Sequence, residues 1–157
     1  MLIRRFQEGD EGAVSRMIAK TLMISNSADY PAEEISRLTA YMSPDHIREA
    51  ASQRHFYVAE EDKTVIGCAS VGPFWGRTDE SGIFTVFVDP DHQKRGVGRD
   101  LIAALEKDEY FLRADRVEIA ASITAVGFYQ KLGYEPKNGN LVPDEELLIR
   151  MEKHRKA

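Results

Sequence analysis

The sequence predicts a mixed α/β domain built around a single sheet. Three observations predict it. Hydrophobic periodicity is helical over the N-terminal third and turns strand-like from Phe56 onward. From there strands and helices alternate to the end of the chain, a pattern that wraps helices around one sheet. No repeat, low-complexity segment or linker divides the 157 residues, which are expected to form one domain spanning 1–157. At that length roughly two-thirds of the unfolded chain's surface can be buried, so a real core is possible.

The elements follow in order. Leu2 to Phe6 reads as a short first strand. Asp10 can cap a helix whose apolar residues Val14, Met17, Ile18 and Leu22 recur at helical spacing. Ser25 to Asp29 is polar and loop-like. Pro31 suits a first helical turn, and Ile35, Leu38 and Met42 continue a helical stripe. Ser43 before Pro44 is a cap and restart leading into Ile47, Ala50 and Ala51. Phe56 to Ala59 and Val65 to Val71 then read as a hairpin around the turn Glu61-Asp62-Lys63. After a loop through Ser81, Ile83 to Val88 forms a strongly apolar strand ended by Asp89-Pro90. A helix is expected from about Gly98 to Lys107 and a strand from Val117 to Ala121. Ala125 to Leu132 reads as a helix stopped by Gly133, Leu147 to Met151 as a last strand, and His154 to Ala157 as a charged tail.

Composition narrows the function classes. The formal net charge is -5, which argues against a phosphate grip on nucleic acid as the main task. Cys68 is the one cysteine, so neither an intrachain disulfide nor a CxxC zinc site can form. His46, His55, His92 and His154 have no ligand spacing, and no metal is expected. The start MLIRRFQEGDEG lacks a signal-peptide apolar run. No segment approaches the roughly 20 apolar residues that span a bilayer. A cytoplasmic protein without a membrane partner is expected.

The chemistry concentrates in Gln93-Lys94-Arg95-Gly96-Val97-Gly98, between a buried strand and an amphipathic helix. Successive backbone N–H groups in such a loop converge on one concavity, and the helix N-terminus adds positive potential. Gly96 and Gly98 let the backbone approach a ligand without a Cβ in the way. Lys94 and Arg95 add charge at the rim, and a pyrophosphate fits such a site. The competing reading is a strand-to-helix turn that merely needs flexible glycines. The chain lacks GxxxxGK[ST], which counts against a P-loop, and GxGxxG after a first strand, which counts against a dinucleotide fold.

The run 93–98, behind an apolar strand ending in Val88-Asp89-Pro90, resembles the acetyl-CoA-binding motif Q/R-x-x-G-x-G/A of the GNAT N-acetyltransferase superfamily. Downstream, Ala125, Phe128-Tyr129 and Leu132-Gly133-Tyr134 resemble that family's A-xx-FY-xx-LGF segment, at a typical distance. The resemblance implies a mostly antiparallel central sheet with helices on both faces. It implies transfer of an acetyl group from acetyl-CoA, as co-substrate, to a primary amine of a small molecule or peptide. The amine attacks directly in a ternary complex. The alternative is a catalytically inactive CoA-binding sensor of the same fold. A homodimer is compatible with the resemblance.

The resemblance also implies roles. Gln93, Lys94, Arg95, Gly96, Val97 and Gly98, with Arg99, would hold the CoA pyrophosphate. Phe87 and Val88 would pair their backbone with the pantetheine arm like an added strand. A backbone N–H near Val88 would polarise the thioester carbonyl. Tyr129 would protonate the departing thiolate, the alternative being a plain core residue. Ser122 stands where family members often carry Asn, seven residues before that tyrosine, as a smaller cofactor contact. Glu80, on the strand parity of Phe84 and Val86, is the candidate general base, with Asp79 beside it; the alternatives are solvated loop charge and an ordered-water relay. Phe74 and Trp75 line the acceptor pocket or lid the core. The acceptor pocket is expected from the N-terminal helices and the 73–81 loop. Tyr30, Tyr41 and Tyr57 are open candidates to face the acceptor. Phe128 and Leu132 are assigned to packing, and Cys68 to a strand core.

Overall fold

The periodicity changes become a seven-stranded sheet with helices on both faces. The computed structural model describes residues 1–155. The strands are β1 (Leu2–Arg5), β2 (His55–Glu61), β3 (Thr64–Pro73), β4 (Glu80–Val88), β5 (Arg116–Ser122), β6 (Glu135–Pro136) and β7 (Leu148–His154). The helices are α1 (Glu11–Ile24), α2 (Ala32–Tyr41), α3 (Pro44–Gln53), α4 (Val97–Leu105), α5 (Glu109–Leu112) and α6 (Val126–Lys131). The sheet order is β1-β2-β3-β4-β5-β7-β6. Every neighbouring pair is antiparallel except β4 and β5, which run parallel.

Strand side chains alternate between faces, so neighbours such as Val58 and Ala59, or Val65 and Ile66, enter different cores. On one face Val97, Leu101, Ile102 and Leu105 of α4 pack on Ile66, Ala69 and Val71. On the other, Val14 and Ile18 of α1 and Ile47 of α3 pack on Phe56, Val58 and Cys68. β3 is buried over nearly its whole length because both layers cover it, which is why it reads as an unbroken apolar run. Cys68 lies in the core as expected, and burial pushes its thiol pKa up.

Several boundaries differ for local reasons. Asp10 stands at the N-cap of α1 without capping it. Its carboxylate turns back to the Gln7 N–H at 2.7 Å and to the Arg4 guanidinium at 2.8 and 3.1 Å. Ser43 does cap α3, accepting the His46 N–H. α4 begins one residue early and ends two early, at Leu105. The turn α5 and the two-residue β6 carry no periodicity to read. Ala125 closes a 3-10 turn rather than opening α6, and Gly133, at φ +95°, ends the helix. Of the charged tail expected at 154–157, His154 belongs to β7, whereas 156 and 157 lie outside the described residues.

Candidate active site

β4 delivers the chain to the loop. After a 3-10 turn at Pro90–His92, Gln93 to Gly96 run into the first turn of α4. Lys94 has φ +66° and Gly96, the helix N-cap, φ +82°, so the backbone doubles back immediately before the helix. A turn of that kind can bring successive N–H groups to one concavity in front of the helix. A Cβ on Gly98 would stand 3.1 Å from the Phe128 ring, so the 93–98 loop and the Phe128-Tyr129 segment are in contact. Asp89 anchors the turn. Burial raises its pKa, but the Asp91 N–H and Lys20 of α1 outweigh that and hold it below the usual carboxylate range.

A cavity of about 790 Å³ lies in front of this loop. Phe87, Val88, Gln93, Lys94, Gly96, Val97, Gly98, Arg99 and Ser122 line it. Gln93 reaches Ser25 Oγ at 2.9 Å and the Val88 carbonyl at 3.2 Å. Arg95 is the exception: its guanidinium turns to Glu61 at 3.0 Å and does not line the cavity. A neighbouring carboxylate at the end of β2 supplies that partner.

The cavity opens because β4 and β5 separate. Their parallel pairing covers only Glu80↔Arg116 to Ile83↔Ile119. Beyond it the β4 edge at Val86 to Val88 has no strand beside it. On the β3 side, Ala69 faces two residues, Thr85 and Val86, between the pairs Ser70↔Phe84 and Cys68↔Phe87. Thr85 has φ +57°, a genuine outlier for a β-branched residue. Two β3 side chains hold this bulge. Ser70 donates to the Phe84 carbonyl at 2.9 Å and Cys68 to the Thr85 carbonyl at 3.2 Å.

A second cavity, of about 340 Å³, lies on the other side of the gap. Asn26, Val86, Phe87, Ser122, Ala125 and Tyr129 line both cavities and form the junction. Tyr129 is 5% exposed, and burial raises its pKa far above the ordinary phenol value, so its hydroxyl keeps its proton. Phe128, assigned to packing, is the more exposed of the pair and lines the larger cavity. Leu132 packs against the core.

The acceptor side is not built as expected. Glu80 lies at the start of β4, bound to Arg116 at 2.9 and 3.2 Å, and lines neither cavity. That guanidinium holds its carboxyl below the usual range, the reverse of what a base near neutral pH needs. Parity is intact from Glu80 through Gly82 to Phe84, but four residues of strand, roughly 13 Å, separate Glu80 from Phe84, where the cavity begins. Asp79 pairs with Arg77 on the surface. Trp75 is 86% exposed, and Phe74 packs under Arg116 and against Trp75; neither lines a cavity. Tyr57 instead donates to Asp108 at 2.5 Å. Tyr30 and Tyr41 do line the second cavity, with the ion pair Arg37–Glu34, His46, Arg54, Phe84 and Glu146. Arg54, Glu34, Arg37 and Glu146 escaped the sequence reading because three separate segments, α2, the end of α3 and the 140s, bring them together, with no common spacing.

Among the described residues no cluster of His, Cys, Asp or Glu could hold a metal, and no helix is long and apolar enough to cross a membrane. Comparison with known proteins gives a consistent family. The family model described as an acetyltransferase (GNAT) domain matches residues 26–155. The Uncharacterized N-acetyltransferase YafP of Escherichia coli (strain K12) is 30% identical over 133 residues, covering 85% of this chain and 80% of that protein. PaiA N-acetyltransferase from Thermoplasma acidophilum, solved in complex with coenzyme A, superposes with a TM-score of 0.84 over 98% of both chains at 16% identity. A GCN5-related N-acetyltransferase from Rhodopseudomonas palustris gives a TM-score of 0.80 over 98% of this chain and 94% of that one, at 24% identity. At these identities the two structures speak to the fold alone.

Proposed function

The chain belongs to the GNAT acetyltransferase family, and from that premise we propose that it moves an acetyl group from acetyl-CoA to a primary amine in a ternary complex. One observation carries this reading. Two cavities, one ending at the 93–98 loop and one lined by charged and aromatic side chains, meet at Tyr129 in the gap between β4 and β5. Acetyl-CoA would fill the larger cavity, with its pyrophosphate on the N–H groups around Gly96 and Gly98. Its pantetheine arm would run along the unpaired edge of β4 at Phe87 and Val88.

The amine would enter from the smaller cavity and attack the thioester carbonyl. The C–N bond forms, a β4 backbone N–H steadies the oxyanion, and the C–S bond then breaks. Tyr129 would donate its proton to the departing thiolate, a role that suits a phenol kept protonated by burial. With Glu80 held by Arg116, the ammonium proton would leave through water in the acceptor cavity. Juxtaposing two reactants across one junction supplies much of the acceleration.

The test is thiol release from acetyl-CoA over a panel of primary amines. Turnover with at least one amine is expected. Tight CoA binding with no thiol release on any of them would replace the enzyme by a CoA-binding sensor.

A further inference from the structure

Arg54 is the odd charge in the acceptor cavity. The other arginine lining it, Arg37, is tied to Glu34. Arg54 has no carboxylate partner among the described residues. It is half-buried at the end of α3, and its guanidinium lies 4.1 Å from the Phe84 ring centroid. Its stem is seated against β3 at Gly72, where a Cβ would come within 2.8 Å of the Arg54 Cγ. Burial pushes its pKa down from the usual arginine value, the mark of a cation without a counter-charge. A guanidinium stacked by its face keeps its N–H edge free, the edge that grips an oxyanion in bidentate fashion.

We propose that Arg54 binds an anionic group of the acceptor, and that the acceptor is a small amine bearing a carboxylate. This rests on the acetyltransferase reading above and names its substrate class. A carboxylate is favoured over a phosphate because Glu34 and Glu146 line the same cavity, and a second negative charge on the ligand would meet them. The cavity's roughly 340 Å³ suits a compact molecule. Phe84 precedes Val86 and Phe87 by two and three residues, roughly 7–10 Å along a strand, so a small acceptor can span from Arg54 to the junction. Seated before the acceptor arrives, Arg54 loses little freedom on binding.

The experiment measures thiol release from acetyl-CoA with glycine, β-alanine, 4-aminobutyrate, 6-aminohexanoate and the common L-amino acids, each against its own amide. At least one acid is expected to exceed its amide about 30-fold in kcat/KM, the size of a lost charged hydrogen-bond pair. Arg54→Met keeps the stem's packing and should remove that preference while leaving CoA affinity unchanged. Arg54→Lys should restore part of it. Should Arg54→Met not fold, the wild-type comparison of acid with amide and the Arg54→Lys variant still decide. Amides turned over as well as acids, or acid and amide falling alike in Arg54→Met, would overturn the inference and leave the acetyltransferase reading standing. No thiol release with any amine would overturn both.

Discussion

Replacing Gly96 with Asp puts a negative charge where the pyrophosphate is proposed to sit. Gly96 has φ +82°, where any side chain carries some backbone strain, and Asp and Asn are among the non-glycine residues that tolerate it best. A Cβ there would come 2.6 Å from Arg99 Nη2, the far end of an exposed side chain that can swing aside. The fold should survive with melting close to wild type. With a carboxylate about 5 Å from a phosphate charge and an effective dielectric of about 20, the repulsion is about 3 kcal/mol. That is a loss of roughly 100-fold or more in CoA affinity. Gly96→Asn is the control, because it shares the shape and the tolerance of positive φ but not the charge. Isothermal titration with CoA should find Asn near wild type and Asp at least 100-fold weaker. The gap should shrink at 1 M salt, where the screening length falls to about 3 Å. Affinities for the Asp and Asn variants within threefold of each other would refute the placement of the pyrophosphate.

Three further outcomes follow from the site. Tyr129→Phe should lower kcat about 100-fold and change KM little, with the thermal midpoint held, because the hydroxyl has no hydrogen-bond partner among the described residues to lose; an unchanged kcat would return Tyr129 to a packing role. Glu80→Gln should leave kcat within twofold and lower stability at pH 7 by about 1–2 kcal/mol, through the weakened pair with Arg116. The folded carboxyl pKa is lowered, so that contribution is full above the unfolded value and disappears as pH falls through the folded one. Denaturant melts of Glu80→Gln and wild type should therefore converge in acid; a gap that widens there would contradict the pairing. Ser70→Ala removes the donor to the Phe84 carbonyl in a fully buried setting and should cost about 1–3 kcal/mol in chemical denaturation; no measurable loss would mean that the bulge does not depend on it.

What the sequence disclosed tracks how local each feature is. The 93–98 loop needs only neighbouring residues: an apolar strand, glycines and an amphipathic helix in succession. Its position between β4 and α4 was therefore legible. Within it Arg95 was not, because its partner Glu61 lies 34 residues away at the end of β2. The Phe128-Tyr129 pair was legible as a motif, but periodicity alone could not say that Tyr129 faces inward and Phe128 outward. Glu80 shows the limit of strand parity. Alternation reports a face, not an end, and the bulge at Thr85 shifts the parity only for residues beyond Phe84. The helix α5 and strand β6 are too short to register any period. The acceptor cavity draws Tyr30, Arg37, Arg54 and Glu146 from the α1–α2 connection, α2, the end of α3 and the 140s, so no window of sequence contains it.

The two halves of the proposed site differ in the kind of atom that builds them. The donor half is backbone: N–H groups around Gly96 and the free edge of β4, exposed because β5 pairs no further than Ile119. Backbone of that shape is held by packing and by devices such as the Ser70 and Cys68 bonds to the bulge, and it survives wide change in side chains. The acceptor half is side chain, with charges whose sign and position are free to change without disturbing the sheet. On the proposal for Arg54, a change of that side chain would leave Phe84, Gly72 and the strands beneath it in place, and selectivity would change without loss of the donor site. Substrate choice would then be read from the charges around Arg54, not from the loop.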